Sequence, residues 1–121
     1  PDYGYILYPI VAGLYLTTFP FFAALYQAMS LLNLIDKRQA FSNLSVDSLK
    51  VIKNCAFIIC GLHILMSPFF YLLAQIEDAP GIMLISMIFI FASFVIGMFT
   101  AVLQMLLKEA VDIKADNDLT I

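Results

Sequence analysis

The chain has 121 residues, of which 63% are hydrophobic and only 12% are charged, and its formal net charge is −3. Its mean hydropathy of +0.97 excludes an ordinary water-soluble domain, because so small a protein cannot bury that much apolar surface. The charges are also segregated, since the runs 3–35, 54–76 and 79–107 contain none. About 20 helical residues cross the roughly 30 Å hydrocarbon core of a bilayer. The sequence therefore predicts an all-α integral membrane helical bundle with three transmembrane helices.

The three runs do not alternate as transmembrane β-strands do, and helices are the other way to satisfy backbone groups in lipid. The chain begins with proline rather than with methionine, so we expect further residues upstream. We interpret the chain as a single transmembrane helical domain, 1–121, with the following parts: spans at about 5–35, 54–76 and 81–107, a cytoplasmic loop at 36–53 and a cytoplasmic tail at 108–121.

The basic residues predict how the chain is oriented. Four of the six lie between the first two spans, and Lys108 and Lys114 follow the third, whereas the second connection contains only Glu77 and Asp78. Because basic loops stay in the cytoplasm, we expect a multi-pass protein of a bacterial cell membrane with its N-terminus outside and its C-terminus cytoplasmic. The third helix is expected to continue to Lys114 and then to fray.

The segment before the second span contains a candidate partner-binding surface. Ser42 is a suitable N-cap, and an amphipathic helical start follows it. An apolar anchor beside basic side chains could bind an acidic patch on a cytosolic protein. The alternative is an ordinary helix start whose lysines extend toward anionic headgroups. The residues of this candidate surface are Phe41, Val46, Leu49, Lys50 and Lys53.

Small residues recur along the third span. Ser93, Gly97 and Ala101 are spaced four apart, and small residues let helices approach closely in lipid. We interpret them as a helix-packing ridge. The spacing leaves open whether the ridge joins helices of one chain or of a homo-oligomer.

His63 is the one ionisable side chain deep in a predicted span, and such residues are candidates for function. Counted from Asn54, it lies roughly 13 Å from the inner boundary, and Gln27, counted from Ile35, lies roughly 12 Å from it. We therefore expect an intramembrane polar pair in which Gln27 and His63 form an interhelical hydrogen bond. The alternatives are a neutral histidine bonded to a backbone carbonyl or facing water. A proton relay is less favoured, because no charged residue accompanies His63 in any span.

The sequence offers no catalytic constellation. Cys55 and Cys60 are five residues apart on one helix, so they point about 140° apart and cannot form a disulfide together. With His63 they make an incomplete set of metal ligands. We found no paired carboxylates, activated nucleophile, phosphate loop or HExxH motif. We therefore expect no enzyme, catalytic residue, metal or cofactor, and no direct binding of nucleic acid.

Three segments of the chain together support a resemblance to a known family. They are Phe41-Ser42 with Val46, Leu49-Lys50 and Ile52-Lys53, then Asp78-Ala79-Pro80-Gly81, and Leu103-Gln104, Leu107-Lys108, Ala110, Ile113-Lys114 and Asn117-Asp118-Leu119-Thr120. Through them the chain resembles the YoaS-like family of small bacterial integral membrane proteins of unknown function. The resemblance implies a four-span protein with one more helix upstream. It also implies a gene neighbourhood that includes a small Cro/cI-type helix-turn-helix regulator.

Two functional interpretations follow. The first is a regulatory scaffold that binds a small cytosolic transcription regulator through the loop 36–53 and the exposed end of the third helix. The second is a transport, lipid-binding or immunity protein that acts within the lipid bilayer as an oligomer.

Overall fold

The computed structural model describes residues 4–119, and these form three long α-helices. Helix α1 is Gly4–Asp36, α2 is Asn43–Ile76 and α3 is Pro80–Leu119. Each is long enough and apolar enough to cross a membrane. The predicted all-α membrane bundle with three spanning helices is therefore confirmed.

The link between α1 and α2 is short and closely hydrogen-bonded. The backbone N–H of Gln39 donates to the carbonyl of Leu34 at 2.7 Å, and Arg38 has a positive φ of 60°. Together they close the end of α1 in the manner of a Schellman motif. Ser42 then caps α2 by accepting a hydrogen bond from the backbone N–H of Ser45. The predicted N-cap is confirmed.

The link between α2 and α3 uses the same device. Asp78 has a φ of 49°, and the N–H of Ala79 donates to the carbonyl of Ala74 at 3.0 Å. Helix α3 then begins at Pro80, where proline is favoured because the first helical N–H has no partner within the helix. Two tight links therefore make both pairs of consecutive helices antiparallel.

Helix α2 lies between the other two. It packs against both α1 and α3, whereas no Cα atom of α1 lies within 8 Å of a Cα atom of α3 among the described residues. The thiol of Cys60 in α2 lies 3.6 Å from the carbonyl oxygen of Ile90 in α3, and the rings of Phe57 and Phe94 lie 6.4 Å apart. These contacts fix the axial register of α2 against α3.

Helices α1 and α3 each approach α2 closely at a glycine. A Cβ atom on Gly13 of α1 would lie 2.1 Å from the sulfur of Met66, and one on Gly97 of α3 would lie 2.8 Å from the ring of Phe57. Lipid supplies no hydrophobic force between helices, so such close backbone approach stabilises the bundle. Gly13 fixes the register of α1 against α2 in the same way.

Helix α3 extends further than expected. It remains helical to Leu119, whereas the sequence predicted fraying after Lys114. No glycine or proline follows Gly97, so nothing in this stretch breaks the helix. Cys60 of α2 lies beside Ile90 of α3, and the two helices are antiparallel. The start of α2 at Asn43 therefore lies at the same height along the bundle as about residue 107 of α3. Residues 108–119 therefore extend about 18 Å beyond the bundle.

The contact of Gly97 with Phe57 predicts the effect of a single methyl group. Gly97→Ala should lower the stability of the protein in detergent by about 1–3 kcal/mol, because the new Cβ atom overlaps a packed ring. Thermal unfolding followed by circular dichroism measures the change. Gly61→Ala is the matched control, since nothing lies within 4 Å of that position; its stability should be unchanged or slightly higher. Equal effects of the two substitutions would contradict the assigned packing.

Candidate functional site

A groove follows from the separation of α1 and α3. Helix α2 forms its floor, α1 and α3 form its walls, and the enclosed volume is about 750 Å³. The walls are almost wholly apolar and include Leu14 and Phe21 of α1 and Ile85, Phe89 and Ile96 of α3. Many of these side chains are half exposed or more, so the groove opens toward the lipid.

Two polar side chains in this groove lack hydrogen-bond partners. His63 of α2 is 6% exposed and Ser86 of α3 is 2% exposed. The Nδ1 atom of His63 and the hydroxyl oxygen of Ser86 are both buried and unpaired. The imidazole stacks on the ring of Phe89 at a centroid distance of 5.4 Å and an angle of 8°, which fixes its plane. Ser86 precedes Phe89 by three residues, so both polar groups lie within about one helical turn of each other.

Three threonine hydroxyl groups in the spans are satisfied by the backbone. Thr17 and Thr18 donate to carbonyls three residues earlier, and Thr100 donates to the carbonyl of Ile96 at 2.7 Å. This is the usual way in which a hydroxyl group is satisfied inside a helix. Ser86 differs from them because its hydroxyl group has no such bond. An unpaired buried polar group costs about 1–3 kcal/mol, so a partner for it would be stabilising.

The structure does not bring Gln27 and His63 together. Relative to the contact of Gly13 with Met66, Gln27 lies about 21 Å closer to the link 37–42 along α1, but His63 only about 4.5 Å closer to that end along α2. The two residues therefore differ in depth by about 16 Å. The expected hydrogen bond is absent among the described residues, and the reason is the length of α2. The depth of His63 was counted from Asn54, but α2 is already part of the bundle from its predicted start at Asn43, which places His63 much deeper.

The candidate partner surface is divided by the fold. Val46 and Leu49 are buried in the bundle, whereas Lys50 is exposed and Lys53 is partly exposed. Phe41 is 58% exposed on the hydrogen-bonded link. Val46 and Leu49 therefore belong to the core of the inner end and are not accessible to a partner.

The three residues of the small ridge have different surroundings. Gly97 is buried against Phe57 of the same chain. Ser93 is half-buried and lines the groove, and Ala101 is half-buried one turn further inward. The close approach at Gly97 is thus made within one chain.

Several contributors to the site were not predicted from the sequence. Ser86 has no feature that separates it from other serines in an apolar run, and the stacking of Phe89 depends on helix register. Gly13 offered a signal, because a lone glycine within an apolar helix often marks close packing.

Comparison with known proteins places this chain in a family. The family profile described as "Protein of unknown function (DUF2975)" matches residues 1–121. The chain belongs to this family. It is also 55% identical over 121 residues to the protein called "Uncharacterized membrane protein YoaS" of Bacillus subtilis (strain 168), and the match covers the whole of this chain and 76% of that protein. No solved structure matches the chain. The expected resemblance to a YoaS-like membrane family is confirmed.

The difference in depth predicts that Gln27 and His63 contribute independently to the free energy of unfolding. In a double-mutant cycle of Gln27→Leu, His63→Leu and both together, the coupling energy should stay below about 0.5 kcal/mol, as for sites that share no contact. Thermal unfolding of the four proteins in detergent measures it. A coupling above about 1 kcal/mol would show that the side chains interact and would overturn the assigned register.

Proposed function

We propose that this membrane protein is a regulatory scaffold that holds a small cytosolic helix-turn-helix regulator at its inner end. The observation that supports this most is the extension of α3, where residues 108–119 continue as a helix beyond the start of α2. A rigid, mostly exposed helix outside the bundle is suited to binding a protein. The proposal includes no enzymatic activity.

The exposed end of α3 offers both charge and apolar anchors. Residues 108–119 contain four acidic and two basic residues. Ile113 is 68% exposed and offers an apolar contact beside these charges. Phe41 is a second exposed anchor at the same end of the bundle. Its link is pre-organised, since the hydroxyl groups of Ser42 and Ser45 both donate to the carbonyl of Gln39.

The charge of this helix fits a DNA-binding partner. A small helix-turn-helix protein has a basic face for the phosphates of DNA, and an acidic helix is complementary to such a face. Binding there would cover the DNA-contacting surface of the regulator and keep the regulator at the membrane. The family resemblance supports this class of partner through the expected gene neighbourhood.

Charge neutralisation on α3 tests the scaffold proposal. The protein is purified from native membranes in mild detergent through a tag before residue 1, and co-purified proteins are identified by mass spectrometry. Wild type should recover a small helix-turn-helix protein, and recovery should fall at least severalfold with Glu109→Gln plus Asp112→Asn. It should also fall as salt concentration rises, because exposed charges are screened.

The matched control makes the same chemical change at the other end of the bundle. Glu77→Gln plus Asp78→Asn removes two negative charges from the outer link, and asparagine tolerates the positive φ of position 78. This variant should recover the regulator as wild type does. A wild-type protein that recovers no such regulator, or an equal loss with both variants, would overturn the proposal.

The proposal requires the inner end to face the cytoplasm of the bacterial cell. The link 37–42, the start of α2 and the end of α3 lie at one end of the antiparallel bundle and contain all six basic residues. This distribution supports a cytoplasmic C-terminus and an N-terminus outside.

Cysteine labelling tests this orientation. Cys55 and Cys60 are both buried, so a cysteine introduced at Asn117 or at Gly81 should be the reactive one. In intact cells, a membrane-impermeant maleimide should label Gly81→Cys and leave Asn117→Cys unlabelled until the cells are broken. The reverse pattern would place the proposed docking helix outside the cell.

The groove favours a second candidate function, binding of a lipid-soluble molecule within the bilayer. A scaffold needs no apolar groove with unpaired polar atoms at mid-membrane depth, so the groove calls for an explanation of its own. The oligomeric version of this candidate has less support, because Gly97 already packs against Phe57.

A further inference from the structure

The polar atoms in the groove lie deep in the hydrocarbon region. His63 is fourteen residues, or about 21 Å, from Glu77 at one end of α2 and twenty residues, or about 30 Å, from Asn43 at the other end. The hydrocarbon core is about 30 Å thick, so a core centred on α2 places His63 within about 5 Å of its midplane. Ser86 lies within about one turn of the same depth, through the stacking of Phe89 on His63. Neither group can reach the headgroup region.

We propose that the groove between α1 and α3 binds a lipophilic molecule that has a neutral oxygen function, a hydroxyl or a carbonyl group, in its apolar part. His63 and Ser86 form hydrogen bonds with that oxygen function. The apolar walls hold the hydrocarbon part of the molecule. This proposal rests on the second candidate function and does not depend on the regulator, since it concerns the part of the bundle within the hydrocarbon core.

The chemistry of the site selects this class of ligand. Two adjacent buried polar groups need a partner that offers hydrogen bonds without bringing a charge into the hydrocarbon core, because an ion there is costly. Neutral imidazole provides one donor and one acceptor nitrogen, and a serine hydroxyl group is both donor and acceptor. Each group can therefore form a hydrogen bond with a neutral oxygen function. A saturated lipid chain would fill the groove but would leave both groups unpaired.

Depth excludes the ordinary membrane lipids as the source of the oxygen atom. The phosphate and ester groups of a phospholipid lie outside the hydrocarbon core, about 10 Å or more from His63. The enclosed volume of about 750 Å³ is within the range of sites for small molecules. The ligand is therefore a lipophilic alcohol or ketone that enters from the bilayer.

A matched pair of probes tests the proposal. Farnesol is an isoprenoid alcohol, and farnesane is a related saturated hydrocarbon of similar size without the hydroxyl group. Binding to the purified protein in detergent is measured from the shift of the thermal unfolding midpoint with probe concentration. Farnesol should bind roughly three- to tenfold more tightly than farnesane, since one buried hydrogen bond is worth about 0.5–1.5 kcal/mol.

Removal of one hydroxyl group distinguishes binding through the polar atoms from binding through the apolar walls of the groove. Ser86→Ala should reduce farnesol binding severalfold, leaving only the part of the preference that comes from His63, and should leave farnesane binding unchanged. Ser67→Ala is the matched control, because Ser67 is a half-buried serine four residues after His63 on α2 and lies outside the groove-lining residues. It should bind farnesol as wild type does. Equal binding of the two probes to wild type, or an equal loss with both variants, would overturn the proposal.

Photo-crosslinking of wild-type protein in liposomes gives a second test that requires no variant to fold. A diazirine derivative of farnesol should label peptides that contain the groove face of α3 near Ser86 and Phe89. Excess farnesol should compete with this labelling, whereas excess farnesane should compete several times less effectively. Labelling spread over the lipid-facing side of α3, or a groove that is inaccessible because another protein segment covers it, would contradict the assigned site.

Discussion

Close contact between helices is the constraint on which this bundle depends. In the hydrocarbon core, lipid chains are as apolar as the side chains, so burial alone does not hold helices together. Helix α2 is instead held where its neighbours lack a Cβ atom, at Gly13 beside Met66 and at Gly97 beside Phe57. Each contact brings one neighbour to one side of α2. Two contacts on a single central helix leave α1 and α3 apart.

That separation creates the groove and determines its chemistry. If α1 packed directly on α3, the side chains of His63 and Ser86 would have neighbours on a third side. As it is, α2 and α3 bury both residues almost completely, but neither helix supplies them with a hydrogen bond. A buried polar group without a partner is expensive in lipid. The same arrangement that stabilises the bundle therefore leaves a site that is apolar along its walls and polar at one depth.

The sequence predicted which segments form helices better than it predicted how those helices are positioned along one another. Charge-free runs identify three spans because charged residues are costly in hydrocarbon, and Ser42 identifies the start of α2 because a helix needs a cap. The alignment of His63 was wrong because its depth was counted from Asn54, although the helix begins eleven residues earlier. Ser86 was missed since its unpaired state depends on the register of α3 against α2. Composition indicates whether a helix lies in lipid or in water. The side chains that form a site depend instead on how that helix packs against its neighbours.

The two proposed roles lie at separate parts of one helix. From Phe89 in the groove to Ile113 on the exposed end, α3 covers 24 residues, or about 36 Å. The hydrogen-bonding pair lies in hydrocarbon, where neutral oxygen groups are preferred and charge is excluded. The exposed end is proposed to lie in water, where its acidic residues would attract a basic partner and salt would weaken that attraction. Because the two environments select ligands by opposite physical rules, a failure of either proposal leaves the other intact.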